Sequence, residues 1–221
     1  MKKNIDNCPQ LMEYINEVGF LPLLESGIEG FSAEDVVSDR CRYHVLEEGG
    51  WEWPLWKWKG PIIMESGCVY GKFFQSKAGF ISSKWWPDFC NYRRSVHKMP
   101  EEGSVEDTIM EVLRVNGSMI TRELRRACGF VGPKMRSRFD SYVTHLQMSC
   151  RVVTEDFVYP QDKHGNPYGW GWSLLTTPER LLGNWDKGCD RSPVESHELM
   201  VEHLRGLIPY ATEKQVLALI G

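Results

Sequence analysis

The sequence predicts an α+β fold: a winged helix (three helices plus a β-wing) over residues 104–185, preceded by a Trp-rich α+β domain over residues 1–98. Three observations predict it. After Ser104, two short segments and one longer segment carry apolar residues at helical spacing. Two runs rich in β-formers follow, joined by a Pro- and Gly-bearing connection. Cations gather on the second and third helical segments. Residues 122–138 hold Arg122, Arg125, Arg126, Lys134, Arg136 and Arg138 against Glu123 alone, a net charge of +5 on a chain whose total is −4.

The first helix opens at Ser104, with Asp107 three residues on, and buries Val105, Ile109, Val112 and Leu113. Asn116-Gly117 supplies the left-handed stop. Thr121 is expected to cap the second helix, Arg122 to Cys128, with Leu124 and Ala127 inward and Gly129 after it. Gly132-Pro133 turns into the third, about Pro133 to Ser149, on Met135, Phe139, Tyr142, Val143 and Leu146. Residues 151–158 and 168–175 read as the two wing strands. Lys163 and His164 sit near the tip of the connection between them. Helix, helix, longer helix and hairpin is the winged-helix order.

Upstream, Pro9 to Val18 reads as an amphipathic helix, and Ser32-x-x-Asp35 as the cap of a short second one. Trp51, Trp53, Trp56 and Trp58 fall within eight positions. Their period-two spacing, broken by Pro54, predicts extended structure at a sheet edge. They are aromatic-pocket candidates that stack on unpaired bases or fill a cleft; core packing is the plainer use of an indole. Residues 69–74 and 78–82 predict a hairpin with the three-residue loop Gln75-Ser76-Lys77. Ser82 or Ser83 is expected to cap a helix carrying Trp85, Trp86, Phe89 and Tyr92, with Arg93 and Arg94 near its end as solvated charges or acid partners. His97 to Ser104 reads as a linker. Asp186 to Pro193 reads as another, leading to a C-terminal helical pair over 193–221 that packs outside the domain or on a second subunit. The 1–98 segment can itself be a degenerate winged helix.

The 221 residues suffice for one large or two small cores, and 42% hydrophobic with 25% charged residues is ordinary globular usage. With a pI of about 5.9, any nucleic-acid contact must come from a local patch. No long apolar run or signal-type N-terminus is visible, so no membrane span and a cytoplasmic location are expected. Seven scattered cysteines with no C-x-x-C pair predict reduced thiols. Cys41-x-x-His44 lacks the second close pair that structural zinc normally brings, so no metal and no cofactor are expected.

The stretch Ile109 to Cys150 resembles the last winged-helix segment of AlkZ/YcaQ-type bacterial DNA glycosylases. The residues carrying it are Ile109-Met110-Glu111-Val112-Leu113, Asn116-Gly117, Thr121-Arg122-Glu123-Leu124 and the later long helix. Tyr70-Gly71-Lys72-Phe73-Phe74, Ala78-Gly79-Phe80-Ile81-Ser82 and Asn91-Tyr92-Arg93-Arg94 are similar to the compact AlkZ-related bacterial proteins, over most of residues 10–180. The resemblance implies winged helices around a DNA-binding cleft in a DNA-repair context. It also implies a Q-x-Q or Q-x-D motif that positions water at the sugar carbon during base excision. Gln10, Gln75, Gln147, Gln161 and Gln215 do not build that motif, so no catalytic residue carries over.

Three functions follow as expectations. The first is a winged-helix DNA-binding protein without the glycosylase motif, using Arg122, Arg125, Arg126, Lys134, Arg136, Arg138, Lys163 and His164. The second is a protein-interaction scaffold, or a homo-oligomer, built on the winged helix and the tryptophans. The third is an active glycosylase with a divergent site beside Trp51–Trp58. Fold alone does not choose among them.

Overall fold

The computed structural model describes residues 3–183 and 189–221. They form an α+β chain of ten α-helices and eight strands. Asn7 caps α1 (Cys8–Val18) by accepting the Gln10 N–H, and Leu11, Ile15 and Val18 form its buried face. Strand β1 (Phe20–Pro22) follows directly. Ser32 caps the single turn α2 (Ala33–Val36) through the Asp35 N–H.

The extended structure expected over residues 51–60 ends almost at once. Strands β2 (His44–Val45) and β3 (Trp51–Glu52) make a two-residue pairing. Pro54 then opens α3 (Pro54–Ser66), which places Trp56 and Trp58 on a helix. The reason is positional. Proline lacks an N–H that the first helical turn would leave unpaired anyway, and its fixed φ suits that turn. The same residue that argues against a strand therefore starts a helix.

The hairpin of β4 (Val69–Phe74) and β5 (Lys77–Ile81) turns in two residues rather than the expected three. Gln75 and Ser76 both take left-handed φ (+49° and +68°), the geometry a tight antiparallel turn requires, and Lys77 pairs with Phe74. Helix α4 (Trp86–Val96) starts without a side-chain cap from either serine; Pro87 occupies its first turn.

Ser104 caps α5 (Val105–Asn116) through the Asp107 N–H, and Gly117 at φ +77° closes it. Strand β6 (Met119–Ile120) leads into α6 (Thr121–Ala127). Thr121 does not cap this helix. Its hydroxyl donates to the Ser173 carbonyl at 3.1 Å and so ties the helix to the last strand. A 3₁₀ turn over 133–135 precedes α7 (Arg136–Met148), which buries Phe139, Val143 and Leu146. Strands β7 (Val153–Val158) and β8 (Trp172–Thr176) then pair across the long exposed connection 159–171.

Thr177 caps α8 (Pro178–Leu182). Reciprocal capping boxes, Ser192 with Glu195 and Thr212 with Gln215, open α9 (Pro193–Leu207) and α10 (Glu213–Ile220). Of the linker expected at Asp186 to Pro193, residues 186–188 lie outside the described residues.

All but β2 and β3 belong to one antiparallel sheet, in the order β1-β5-β4-β7-β8-β6. Its two halves meet between β4 and β7, where Tyr70 pairs with Thr154. Two apolar clusters flank that seam. The smaller gathers Ile109, Leu113, Leu124, Phe139, Val143, Leu146, Val152 and Leu175. The larger surrounds Phe20, Phe73, Trp86 and Phe89, and it includes Met200, Leu204, Val216 and Ile220 from α9 and α10. The C-terminal helices thus complete the core begun by the N-terminal residues.

Two polar clamps fix this closure. Arg93, 1% exposed, donates to the carbonyls of Met148 (2.7 Å), Ile220 (2.9 Å) and Phe73 (3.2 Å). Contrary to the sequence expectation it is buried and has no acid partner among the described residues; one guanidinium joins three remote segments. Arg94 instead meets the Glu179 carboxylate at 2.7 Å. The second clamp is Asp88 on α4. It accepts both arms of Arg191 at 2.8 Å and the Ser196 hydroxyl at 2.9 Å, which locks α9 onto α4. Burial pushes the Asp88 carboxyl up, but the Arg191 and Ser196 hydrogen bonds outweigh it and hold the group below the usual carboxylate range.

A candidate nucleic-acid interface and its aromatic cleft

Helix α7 and the β7–β8 hairpin face α3 across a cleft of about 330 Å³. Trp56 and Lys59 contribute from α3, Lys72 from β4, Arg136, Asp140 and Gln147 from α7, and Trp170 and Trp172 from the hairpin. Its size lies at the low end of the small-ligand range.

The aromatic wall depends on contacts far apart in sequence. Trp51 stacks on Trp170 with centroids 4.8 Å apart and planes 18° apart. Trp53 stacks on Trp56 at 4.8 Å, and Trp56 meets Trp170 edge-on at 5.5 Å. The Trp56 indole N–H donates to the Trp170 carbonyl at 3.0 Å. These contacts hold the connection that leads into β8 against the N-terminal segment. Of the four candidate tryptophans, Trp56 lines the cleft, Trp51 and Trp53 buttress Trp170, and Trp58 packs against the larger core.

Lys59 stands on the same face of α3 as Trp56, one turn later. That spacing puts its Nζ 3.1 Å from the Trp56 ring centroid and 3.9 Å from that of Phe157 on β7. Gly60 permits the approach. A Cβ there would lie 2.5 Å from the side-chain oxygen Asp156 Oδ1, so β7 passes close to α3 here and a larger residue would turn that carboxylate aside. Lys59 is 1% exposed and has no carboxylate or hydrogen-bond partner among the described residues. Burial holds its amine down to about 7.

The eight predicted cations divide. Arg136 lines the cleft, and Arg122 lays its guanidinium over Trp172, 4.8 Å from the ring centroid. Arg126, Lys134 and Arg138 are exposed on α6, the 3₁₀ turn and α7; Arg125 is half-buried and donates to the Gly132 carbonyl at 3.4 Å. Among the described residues, the carboxylate partner in this set is Asp140, 3.8 Å from Arg136. Lys163 and His164 are exposed near the tip of 159–171, where Asp162 accepts the backbone N–H groups of His164 and Asn166.

Gln147 is the glutamine that reaches the cleft, and its amide is already engaged. Its Oε1 accepts the Lys72 N–H and its Nε2 donates to Thr154 Oγ1, both at 3.3 Å. Gln10 and Gln215 serve helix caps, Gln75 makes the hairpin turn, and Gln161 is exposed.

The sequence pattern does not mark Lys59, Lys72, Trp170 and Trp172 as site residues. The signals were there: Trp56-x-x-Lys59 is one helical turn, and Trp170-x-Trp172 is a strand period. Neither reports which neighbour it will meet. A wider hollow of about 800 Å³ near Tyr14, Phe31 and Tyr210 offers less chemistry. Lys3 there pairs with Glu17 at 2.7 Å, and Arg42 donates to the Asp35 carbonyl at 3.2 Å.

Among the described residues no group of three or more His, Cys, Asp or Glu is placed to hold a metal ion. Nor is any described helix long and apolar enough to cross a membrane. No curated protein and no solved structure matches the chain. A family model described as AlkZ related matches residues 5–221, nearly the entire sequence, and the chain therefore belongs to the AlkZ-related family.

Proposed function

We propose that the chain binds DNA, with residues 104–176 acting as a winged helix and the cleft receiving a base displaced from its stack. The observation carrying this is a juxtaposition. Cations of α6 and α7 lie beside an aromatic cleft, Arg136 lining it and Arg122 resting on its Trp172 wall. Exposed cations without tight acid partners suit phosphates, and indole faces suit bases. The order α5, β6, α6, α7, β7, β8, with β8 between β6 and β7, supports the winged-helix reading. Membership of the AlkZ-related family adds the relation to DNA glycosylases.

Base excision by water that a glutamine motif positions is not part of this proposal. Gln147 spends its amide on Lys72 and Thr154, and no Q-x-Q or Q-x-D pattern is present. Domain boundaries near 98–104 belong to the same proposal, since the smaller apolar cluster draws only on residues 105–175.

Fluorescence anisotropy with a labelled duplex tests it. Four to six phosphate contacts give a log–log salt slope of about −4 to −5. Reversing Arg122, Arg126, Lys134 and Arg136 to Glu should flatten that slope and weaken binding on every duplex alike. A duplex with one unpaired base should bind more tightly than the matched one, and Trp172→Ala should remove that preference. Absence of binding at low salt rejects the reading. No base release is expected from the bound duplex.

A further inference from the structure

We propose that Lys59 is an amine nucleophile that captures the aldehyde of an abasic deoxyribose phosphate as a Schiff base inside the cleft, an inference that rests on the DNA-binding reading above. Its geometry is that of a reactive lysine rather than a structural one. A structural buried lysine is held by a carboxylate or by carbonyls. Lys59 is 1% exposed and lines the cleft, yet its Nζ is held by the faces of Trp56 and Phe157, with no acceptor among the described residues. Ring faces attract the ammonium form without consuming the nitrogen lone pair of the amine form. Burial then keeps the two forms near balance at neutral pH, since the group sits at about 7.

The partner follows from what surrounds the amine. Arg136 and Lys72 share the cleft and favour an anion; Lys72 Nζ also donates to Thr144 Oγ1 at 3.1 Å. Trp170, stacked on Trp51, and Trp172, under Arg122, line the same cleft and give it an aromatic wall. Amines add to carbonyls, and a DNA strand presents an aldehyde on its backbone where a base is missing and the sugar ring has opened. Loss of the base also removes the bulk that would keep C1′ from an amine this deep.

The step balances without an external oxidant or reductant. The Nζ lone pair attacks the C1′ carbonyl carbon and forms a carbinolamine. The carbon–oxygen bond then breaks, the oxygen leaves as water with both amine hydrogens, and a carbon–nitrogen double bond remains. Borohydride, added as a probe, delivers hydride to that carbon and makes the link permanent.

The full chain is incubated with a duplex carrying one abasic site, reduced with borohydride, and digested for peptide mass mapping. The expected result is a one-to-one adduct on Lys59. Adduct yield per bound duplex should fall about tenfold or more in Lys59→Arg and Lys59→Met, with the duplex bound by each variant followed by anisotropy. Mapping of the unsubstituted chain does not depend on how those variants fold. Tight binding of the abasic duplex with Lys59 unmodified overturns this inference and leaves DNA binding intact. An adduct on another amine also overturns it, as does labelling by free 2-deoxyribose 5-phosphate but not by the duplex. Failure to bind any duplex overturns both readings.

Discussion

Replacing Lys59 by Met tests the environment of the cleft without any ligand. The substitution keeps an unbranched apolar stem of similar length and removes the amine. Wild-type Lys59 is 1% exposed as a residue and its amine sits at about 7, against an ordinary value of 10.5. At about 1.4 kcal/mol per pKa unit, that displacement makes the half-charged amine at pH 7 cost the folded state about 4 kcal/mol. The faces of Trp56 and Phe157 return about 0.5–2 kcal/mol of it. Lys59→Met should therefore be more stable than wild type by about 2–3 kcal/mol at pH 7, or about 5–10 °C in Tm for a chain of this size.

The sign of the pH dependence is fixed by the same numbers. Between about 7 and 10.5 the unfolded chain holds the proton that the folded chain has released, so wild-type stability rises with pH across that window. The advantage of the variant should shrink toward zero near pH 10. Urea unfolding of both proteins at several pH values, followed by tryptophan fluorescence, measures the gap. A gap that stays constant from pH 7 to pH 10 would refute the reasoning. It would mean that the amine remains charged in the folded protein, and the case for its nucleophilicity would fall with it.

Other perturbations probe the frame that holds the cleft. Arg93→Met leaves the carbonyls of Phe73, Met148 and Ile220 without their donor and should cost about 3–5 kcal/mol by urea unfolding; a cost near zero would show that the clamp is dispensable. Asp88→Asn should remove an acid-sensitive element: the depressed carboxyl stabilises the fold above its unfolded pKa and loses that contribution as pH falls through the lower folded value, so the variant's unfolding midpoint should vary less with acid than the wild type's. Trp170→Ala should uncouple the hairpin connection from β3 and α3, with a loss of about 0.5–1.5 kcal/mol beyond the buried area and a changed near-ultraviolet circular dichroism; an unaltered aromatic spectrum would argue against the stack. Gly60→Ala should turn the Asp156 carboxylate aside, and because alanine gains about 1 kcal/mol of helix propensity inside α3 the net change should stay within about 1 kcal/mol, a figure that calorimetry can check.

What the sequence determined by itself is local. Serine, threonine and asparagine caps, left-handed glycines and the apolar periods of α5 and α7 each depend on neighbours within a turn or two. Those interactions form wherever the chain is helical. The same local logic located the cationic run at 122–138 and the hairpin at residues 69–81. Sequence is ambiguous where one residue fits two geometries. Pro54 suits a strand break or a first helical turn, and the choice rested on Leu55, Ile62 and Ile63 finding the larger core. Thr121 can cap a helix or tie it to a strand, and the nearby Ser173 carbonyl decided that.

Only the tertiary structure could decide the cleft. Trp51 and Trp170 are separated by more than half the chain, and indole spacing carries no record of its partner. Lys59 looks like any surface lysine until Phe157 and Trp56 close over it, because desolvation depends on everything packed around the amine rather than on its place in the chain. The C-terminal helices were legible as a capped pair. Their place against α4 was not, since an apolar stripe specifies that it will be buried and leaves open by what.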